Sequence, residues 1–126
     1  MKIAVVGSRN YPYERLVRGF IQRVAAKDPE TVIVSGGARG VDSWAADEAR
    51  KCGLIVEEHI PDWEADGRRA GFLRNATIVA RSEVIVAFWD GESRGTLDTI
   101  QKTQRAGKRL FVIDLDGGKV PISSPR

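Results

Sequence analysis

Cysteine and histidine are almost missing from this sequence: Cys52 and His59 are the only ones among 126 residues. A disulfide scaffold, a Cys/His zinc site and a paired-cysteine redox motif each need more than one such residue, so none of them can be assembled. Also lacking is any apolar run near the roughly 18–20 residues that span a bilayer. The opening MKIAVVGSRN has no long apolar stretch of the kind a secretory signal carries. A cytoplasmic chain without a membrane segment is therefore expected. Nor is there a strong excess of one charge, since 20 Lys and Arg stand against 17 Asp and Glu, a net charge of +3. That balance fits an anionic partner without requiring one, and it leaves little surplus basic surface for a long polyanion.

What is present suffices for a core. Hydrophobic residues make up 42% of the chain and charged residues 29%, with three Trp, which excludes disorder along the whole length and suits one ordinary domain. Short apolar runs alternate with helical patterns, the signature of βαβ units on a parallel sheet. The runs at 2–6, 31–35, 54–58, 83–89 and 109–114 read as strands, too continuous for a sheet with one wet face. In the first helix Pro12 suits the opening position, and Leu16, Val17, Phe20, Ile21 and Val24 share a face. The second carries Val41, Trp44, Ala45, Ala49 and Cys52, with Gly53 as its stop. Residues 71–81 and 93–106 give two more helices, the former after a turn-prone stretch at 61–67 and the latter before Gly107. Residues 1–116 are expected to form one domain, and 117–126, with Pro and Ser but no periodicity, a loose tail.

In an open parallel sheet the strand-to-helix loops gather on one edge, where ligands bind. Three such loops share a composition: Gly7-Ser8-Arg9-Asn10, Gly36-Gly37-Ala38-Arg39-Gly40, and Asp90-Gly91-Glu92-Ser93-Arg94-Gly95-Thr96. Each sets glycine beside arginine and a hydroxyl where a helix begins, with Ser8 in the first loop, Ser35 flanking the second and Ser93 and Thr96 in the third. Glycine lets a backbone approach a phosphate, the helix N-terminus offers unpaired N–H groups, and arginine supplies a planar fork of donors. Glycines after strands also serve as plain tight turns, so the convergence of three loops carries more weight than any one of them.

Other chemistries lack their parts. The 36–40 loop has no Gly-Lys-Ser/Thr ending, so it is not a P-loop, and the first loop is not the dinucleotide fingerprint. Ser8, Ser35 and Ser93 have no histidine at a recognisable spacing. Asp42, Asp90 and Asp98 suit helix caps, helix N-terminal charges or ribose acceptors, and no acidic cluster is placed to hold a metal. No metal and no cofactor are expected.

At these loops the chain resembles a known family. Val-Val-Gly-Ser-Arg at 5–9, Ser-Gly-Gly-Ala-Arg-Gly-Val-Asp at 35–42, Asp-Trp at 62–63, Ala-Gly-Phe-Leu-Arg-Asn at 70–75 and Gly-Glu-Ser-Arg-Gly-Thr at 91–96 occur in the order seen in the SLOG superfamily, in its branch related to YspA and YpsA. The resemblance implies an α/β Rossmann-like three-layer sandwich, with a mainly parallel five-stranded sheet in the order 3-2-1-4-5. It implies a nucleotide-type ligand and a homo-oligomer, as in LOG proteins. Gly36, Gly37, Arg39 and Gly40 with Gly95 and Thr96 would cradle phosphate, Gly7, Ser8 and Arg9 would close the crevice, and Asp42, Ser93 and Arg94 would complete the loops. Arg74 and Asn75 would hold phosphate or sugar.

Relatives in that superfamily differ in function, so three readings follow. The first is a non-catalytic sensor of a nucleotide or nucleotide derivative. The second is a LOG-like phosphoribohydrolase of nucleoside monophosphates, whose Pro-Gly-Gly-x-Gly-Thr-x-x-Glu pattern is met here only at Gly95-Thr96. The glutamate position holds Thr99, and Asp98, one residue early, is the candidate catalytic carboxylate. The third is a DprA-like binder of single-stranded DNA, for which Trp63 in a polar loop would offer a stacking face. Trp44 and Trp89 read as core, and Arg68 and Arg69 as a solvated basic pair.

Overall fold

The computed structural model describes residues 1–116 and the backbone of 119–122. The elements run β1 (Lys2–Gly7), α1 (Glu14–Lys27), β2 (Val32–Ser35), α2 (Val41–Lys51), β3 (Ile55–Glu58), α3 (Trp63–Asp66), a 3-10 turn (Gly67–Arg69), α4 (Ala70–Arg81), β4 (Val84–Phe88), α5 (Arg94–Arg105), β5 (Arg109–Ile113) and β6 (Lys119–Ile122). The sheet order is β3-β2-β1-β4-β5-β6. Every pair is parallel except β5 with β6. The five parallel strands and their order are as the sequence implies.

Alternation along the strands builds the three layers. Val5, Ile33, Val86 and Phe88 point to the side covered by α1 and α2, where they pack with Val17, Ile21, Val41 and Ala45. Ala4, Val6, Val34, Ile85 and Ala87 point the other way and meet Ile78 of α4 and Ile100 of α5. The edge strand β3 is less covered, and its Ile55 is exposed.

Four expectations need correction. Part of the predicted tail is strand: residues 119–122 pair with β5, Phe111 opposite Pro121. Proline there hides the strand from a sequence reading, yet an edge strand tolerates its missing N–H. The remaining tail residues lie outside the described ones. Pro12 is not the first helical residue, since α1 starts at Glu14 after Tyr13. Leu16 leaves the apolar stripe and is exposed, while Val17 and Ile21 are fully buried. Finally, the stretch at 61–67 contains a helical turn, α3, capped by Asp62, whose carboxylate accepts the Ala65 N–H at 3.1 Å.

A single lysine closes the open end of α4. The Lys108 ammonium donates to the carbonyls of Val79, Ala80 and Ser82 at 2.6, 3.1 and 2.8 Å, satisfying groups a helix C-terminus leaves unpaired. Replacing Lys108 with Met should keep the aliphatic stem and lose these bonds. Urea denaturation should then show a loss of about 1–3 kcal/mol with an unchanged m-value.

Candidate functional site

A cleft of about 520 Å³ opens beyond the C-terminal ends of β1 and β4, the point where the chain's progression across the sheet reverses direction. Its volume lies within the ~300–1,000 Å³ typical of small-molecule sites. Among the expected residues it brings together Gly7, Arg9, Asp42, Arg74, Asn75, Ser93, Gly95 and Thr96.

The floor is tied by Asp42, in the first turn of α2. Its carboxylate accepts the N–H of Gly7 at 3.2 Å and of Ala38 at 3.3 Å, so one buried side chain joins the loops after β1 and β2. Burial raises its pKa to about 6, against the pull of the Ala38 N–H, the Arg74 charge and the Gly7 and Gly36 N–H groups. Gly7 has a packing reason to be glycine: a Cβ there would lie 2.5 Å from the Phe88 carbonyl and 2.7 Å from Val41 Cβ. That close approach seats α2 on the sheet.

Ser8 is buried beside the cleft and braces it. Its N–H donates to the Phe88 carbonyl at 3.0 Å and its Oγ accepts the Asp90 N–H at 3.1 Å. Burial opposes the charged form of Asp90, but the N–H groups of Glu92 and Ser93 and the Ser8 hydroxyl outweigh it and hold the carboxyl below its usual range. Ser93 caps α5, accepting the Thr96 N–H at 3.3 Å. The first-turn N–H groups of Arg94 and Gly95 remain without intrahelical partners. Trp89, expected in the core, is partly buried and donates its indole N–H to the Ser93 carbonyl at 3.0 Å, steadying the same loop.

Arg74 forms the wall from α4. Its Nε donates to Asn75 Oδ1 at 2.9 Å and its Nη1 to the Gly36 carbonyl. Among the described residues no carboxylate oxygen lies within 4 Å of its guanidinium. Burial pushes its pKa down, Asp42 pushes it up, and the like charge of Arg9 pushes it down again. Arg9 and Arg74 therefore feel each other across the cleft. Asn75 is buried and donates to the Gly95 carbonyl at 3.2 Å and to Asp98 at 3.0 Å.

Other expected residues lie elsewhere. Gly36 sits beneath Arg74. Gly37, Arg39 and Arg94 are exposed and outside the cleft lining, and Gly40 packs against the Arg9 backbone. Asp98 also lies off the lining; both its oxygens bind Lys102 Nζ, at 2.5 and 2.6 Å. Trp63 stands outside the cleft with its ring edge toward Gly71. Trp44 packs against the core, and His59 pairs with Glu57 at 2.6 Å. The site residues expected from sequence leave out Asn10, Glu92 and Thr99, and Asp90 is weighed there only as a cap, a helix N-terminal charge or a ribose acceptor; all four lie on the lining. Their signal is position: Asn10 adjoins Arg9, Asp90 and Glu92 lie in the third loop, and Thr99 stands one turn after Gly95. Among the described residues no three His, Cys, Asp or Glu side chains group as a metal site would need.

Comparison with known proteins agrees with this fold. A family model, "YspA, cpYpsA-related SLOG family", matches residues 1–65. The Gene 61 protein of Mycobacterium phage D29 is 36% identical over 113 residues, covering 84% of this chain and 90% of that protein. DNA processing protein A (DprA) of Streptococcus pneumoniae superposes with a TM-score of 0.75 at 22% identity, over 88% of this chain and 49% of that one. DNA processing protein A of Helicobacter pylori, studied for its single-stranded DNA binding mode, gives 0.66 at 25% identity, over 89% and 64%. The chain thus spans about half to two thirds of these two structures.

The buried carboxylate at the floor gives a signed pH dependence. The folded state holds the Asp42 proton up to about pH 6, whereas the unfolded chain releases it near 3.8. The cost of burying the ionised group is therefore present above pH 6 and disappears as pH falls from 6 towards 4. Relative to Asp42→Asn, the wild-type protein should gain stability over that window, by up to about 3 kcal/mol. Parallel urea titrations of both proteins at several pH values would show it, and parallel curves would refute the assignment.

Proposed function

Because the chain belongs to the YspA, cpYpsA-related SLOG family, we propose that its cleft holds the phosphate of a nucleotide or nucleotide derivative, and that the domain binds this ligand without cleaving it. One observation carries the reading: two arginines, Arg9 and half-buried Arg74, face the same cleft, and Arg74 has no carboxylate within ion-pair distance among the described residues. Buried guanidinium groups are ordinarily paired. A phosphate between them would relieve their mutual repulsion and accept their N–H groups.

The helix end supports the same reading. At Gly95 a Cβ would meet no atom within 4 Å, so packing does not demand glycine, and a glycine inside a helix costs up to about 1 kcal/mol against alanine. Open space over bare first-turn N–H groups fits a phosphate oxygen coming close. Asn75, pinned to the Gly95 carbonyl, holds α4 and α5 at a fixed separation around that space.

The hydrolytic alternative is disfavoured by the position of Asp98, tied to Lys102 and Asn75 and away from the lining. The DNA-binding alternative draws on the likeness to DprA. Against it, the hollow of about 300 Å³ that Arg74 also lines carries three carboxylates, Glu58, Asp62 and Asp66, beside His59, and these would oppose a continuing phosphate chain. Among the described residues no helix is long and apolar enough to cross a membrane. We place the domain's action in the cytosol, where its single free thiol, Cys52, stays reduced.

Calorimetry and thermal shift with AMP, ADP and oligothymidylates of increasing length test the reading. A mononucleotide should bind and raise the melting temperature, Arg74→Ala should weaken it by about tenfold or more, and chromatography should find no free base. Affinity that climbs with oligonucleotide length would favour DNA, and absence of binding by all three classes would discard the proposal. Gly95→Ala should separate the two roles of its site, with stability equal or higher by up to about 1 kcal/mol and mononucleotide affinity several-fold lower.

A further inference from the structure

The charges on the cleft lining do not balance for an anion. Two arginines, Arg9 and Arg74, share it with three carboxylates, Asp42, Asp90 and Glu92. With all five ionised the lining is already one charge negative, and a phosphate monoester adds roughly 1.5 to 2 more at neutral pH. Like charges at close quarters disfavour ionisation, so the carboxylate least able to keep its charge is the one an entering phosphate neutralises.

Their surroundings single out one of the three. Glu92 is exposed, and water screens its charge. Asp90 accepts the N–H groups of Glu92 and Ser93 at 2.8 and 2.9 Å, which stabilise its anion. Asp42 is 4% exposed and accepts longer bonds from Gly7 and Ala38, at 3.2 and 3.3 Å. Its supporting cation, Arg74 of α4, acts from beyond ion-pair distance. Arg9 faces the cleft from the loop after β1. The charged groups of the other surrounding elements are engaged elsewhere: Arg18 of α1 with Asp47 and Glu48, Glu58 of β3 with Arg50, and Lys102 of α5 with Asp98. The Ser35 hydroxyl of β2 reaches only the Asp42 backbone carbonyl. A phosphate held by Arg74 would therefore draw off the support that Asp42 has.

We propose that the cleft takes up its phosphate and a proton together, and that the proton goes to the Asp42 carboxylate. It comes from solvent and forms one O–H bond, and no other covalent bond changes. Ionised, Asp42 is an acceptor alone; protonated, it keeps an acceptor for a loop N–H and gains an O–H to donate, so a like charge beside the phosphate becomes a donor in the same lining. Burial already brings its pKa to about 6, which leaves the free cleft mainly ionised at neutral pH and ready to receive the proton on binding. By linkage, the protonated form binds phosphate more tightly by the factor that phosphate favours protonation.

Proton uptake presupposes the phosphate reading above, and two measurements separate them. Carbon-13 NMR of the wild-type protein, with the Asp42 carboxyl signal assigned through bonds, follows that group's titration with and without saturating AMP or ADP. The ligand's own second ionisation, near pH 6, does not enter a signal read at the side chain. Nucleotide should move the midpoint from about pH 6 to about 7 or above, a preference of about tenfold for the protonated form. A midpoint that stays or falls while other cleft signals respond to nucleotide would overturn proton uptake and leave the phosphate reading standing. No response anywhere would remove both. Calorimetry in buffers of different ionisation enthalpy should count more protons taken up per nucleotide by wild type than by Asp42→Asn, and equal counts would also overturn the proposal. If Asp42→Asn does not fold, the wild-type titration decides alone.

Discussion

The carboxylate of Asp42 is the constraint on which the rest of the site depends. Two strand-to-helix loops, in contact where Gly40 packs on the Arg9 backbone, are stitched together because each offers an N–H to the same buried group. Water could satisfy those N–H groups in the unfolded chain, but Asp42 is almost wholly buried, so losing the acceptor would strand them. The charge also balances the local field. It supports the guanidinium of Arg74 nearby, and without it two arginines would stand over the ends of two strands with nothing negative beneath them.

From that floor the site rises by a chain of neutral contacts. Arg74 is steered by the Gly36 carbonyl and the Asn75 amide rather than by a carboxylate, which fixes its direction while only Asp42, beyond ion-pair distance, offsets its charge. Preorganised charge of this kind is what a binding cleft needs, because the cost of assembling it is met when the domain folds rather than when the ligand arrives. The same steering makes α4 central: one flank carries Arg74 and Asn75 to the cleft, and the outer face meets solvent without a charge.

Much of this could be read from residue order alone, for physical reasons. The parallel strands announce themselves as Val- and Ile-rich runs because both faces of the sheet are covered, and glycines mark the loops because the backbone there turns or packs tightly. What escaped was set by contacts distant in the chain. Nothing local distinguishes Arg39, which the structure leaves exposed, from Arg74, which it draws into the wall. Asp98 looked like a displaced catalytic acid because its neighbour in space, Lys102, sits one turn along the same helix and reads as ordinary surface charge. Gly7 and Gly95 look equally suited to a phosphate, yet only Gly95 has open space above it. β6 was hidden by Pro121, a residue that weakens the strand signal without forbidding an edge strand.

The position of Asp98 has one more outcome. A carboxylate can only accept hydrogen bonds, whereas a carboxamide offers an oxygen on one side and a nitrogen on the other. With Lys102 held by both oxygens of Asp98 and the Asn75 nitrogen donating to one of them, the carbonyl of Asn75 turns toward the Arg74 Nε–H. An acid outside the cleft lining thus joins the Gly95 carbonyl in holding the Asn75 amide dipole to one direction.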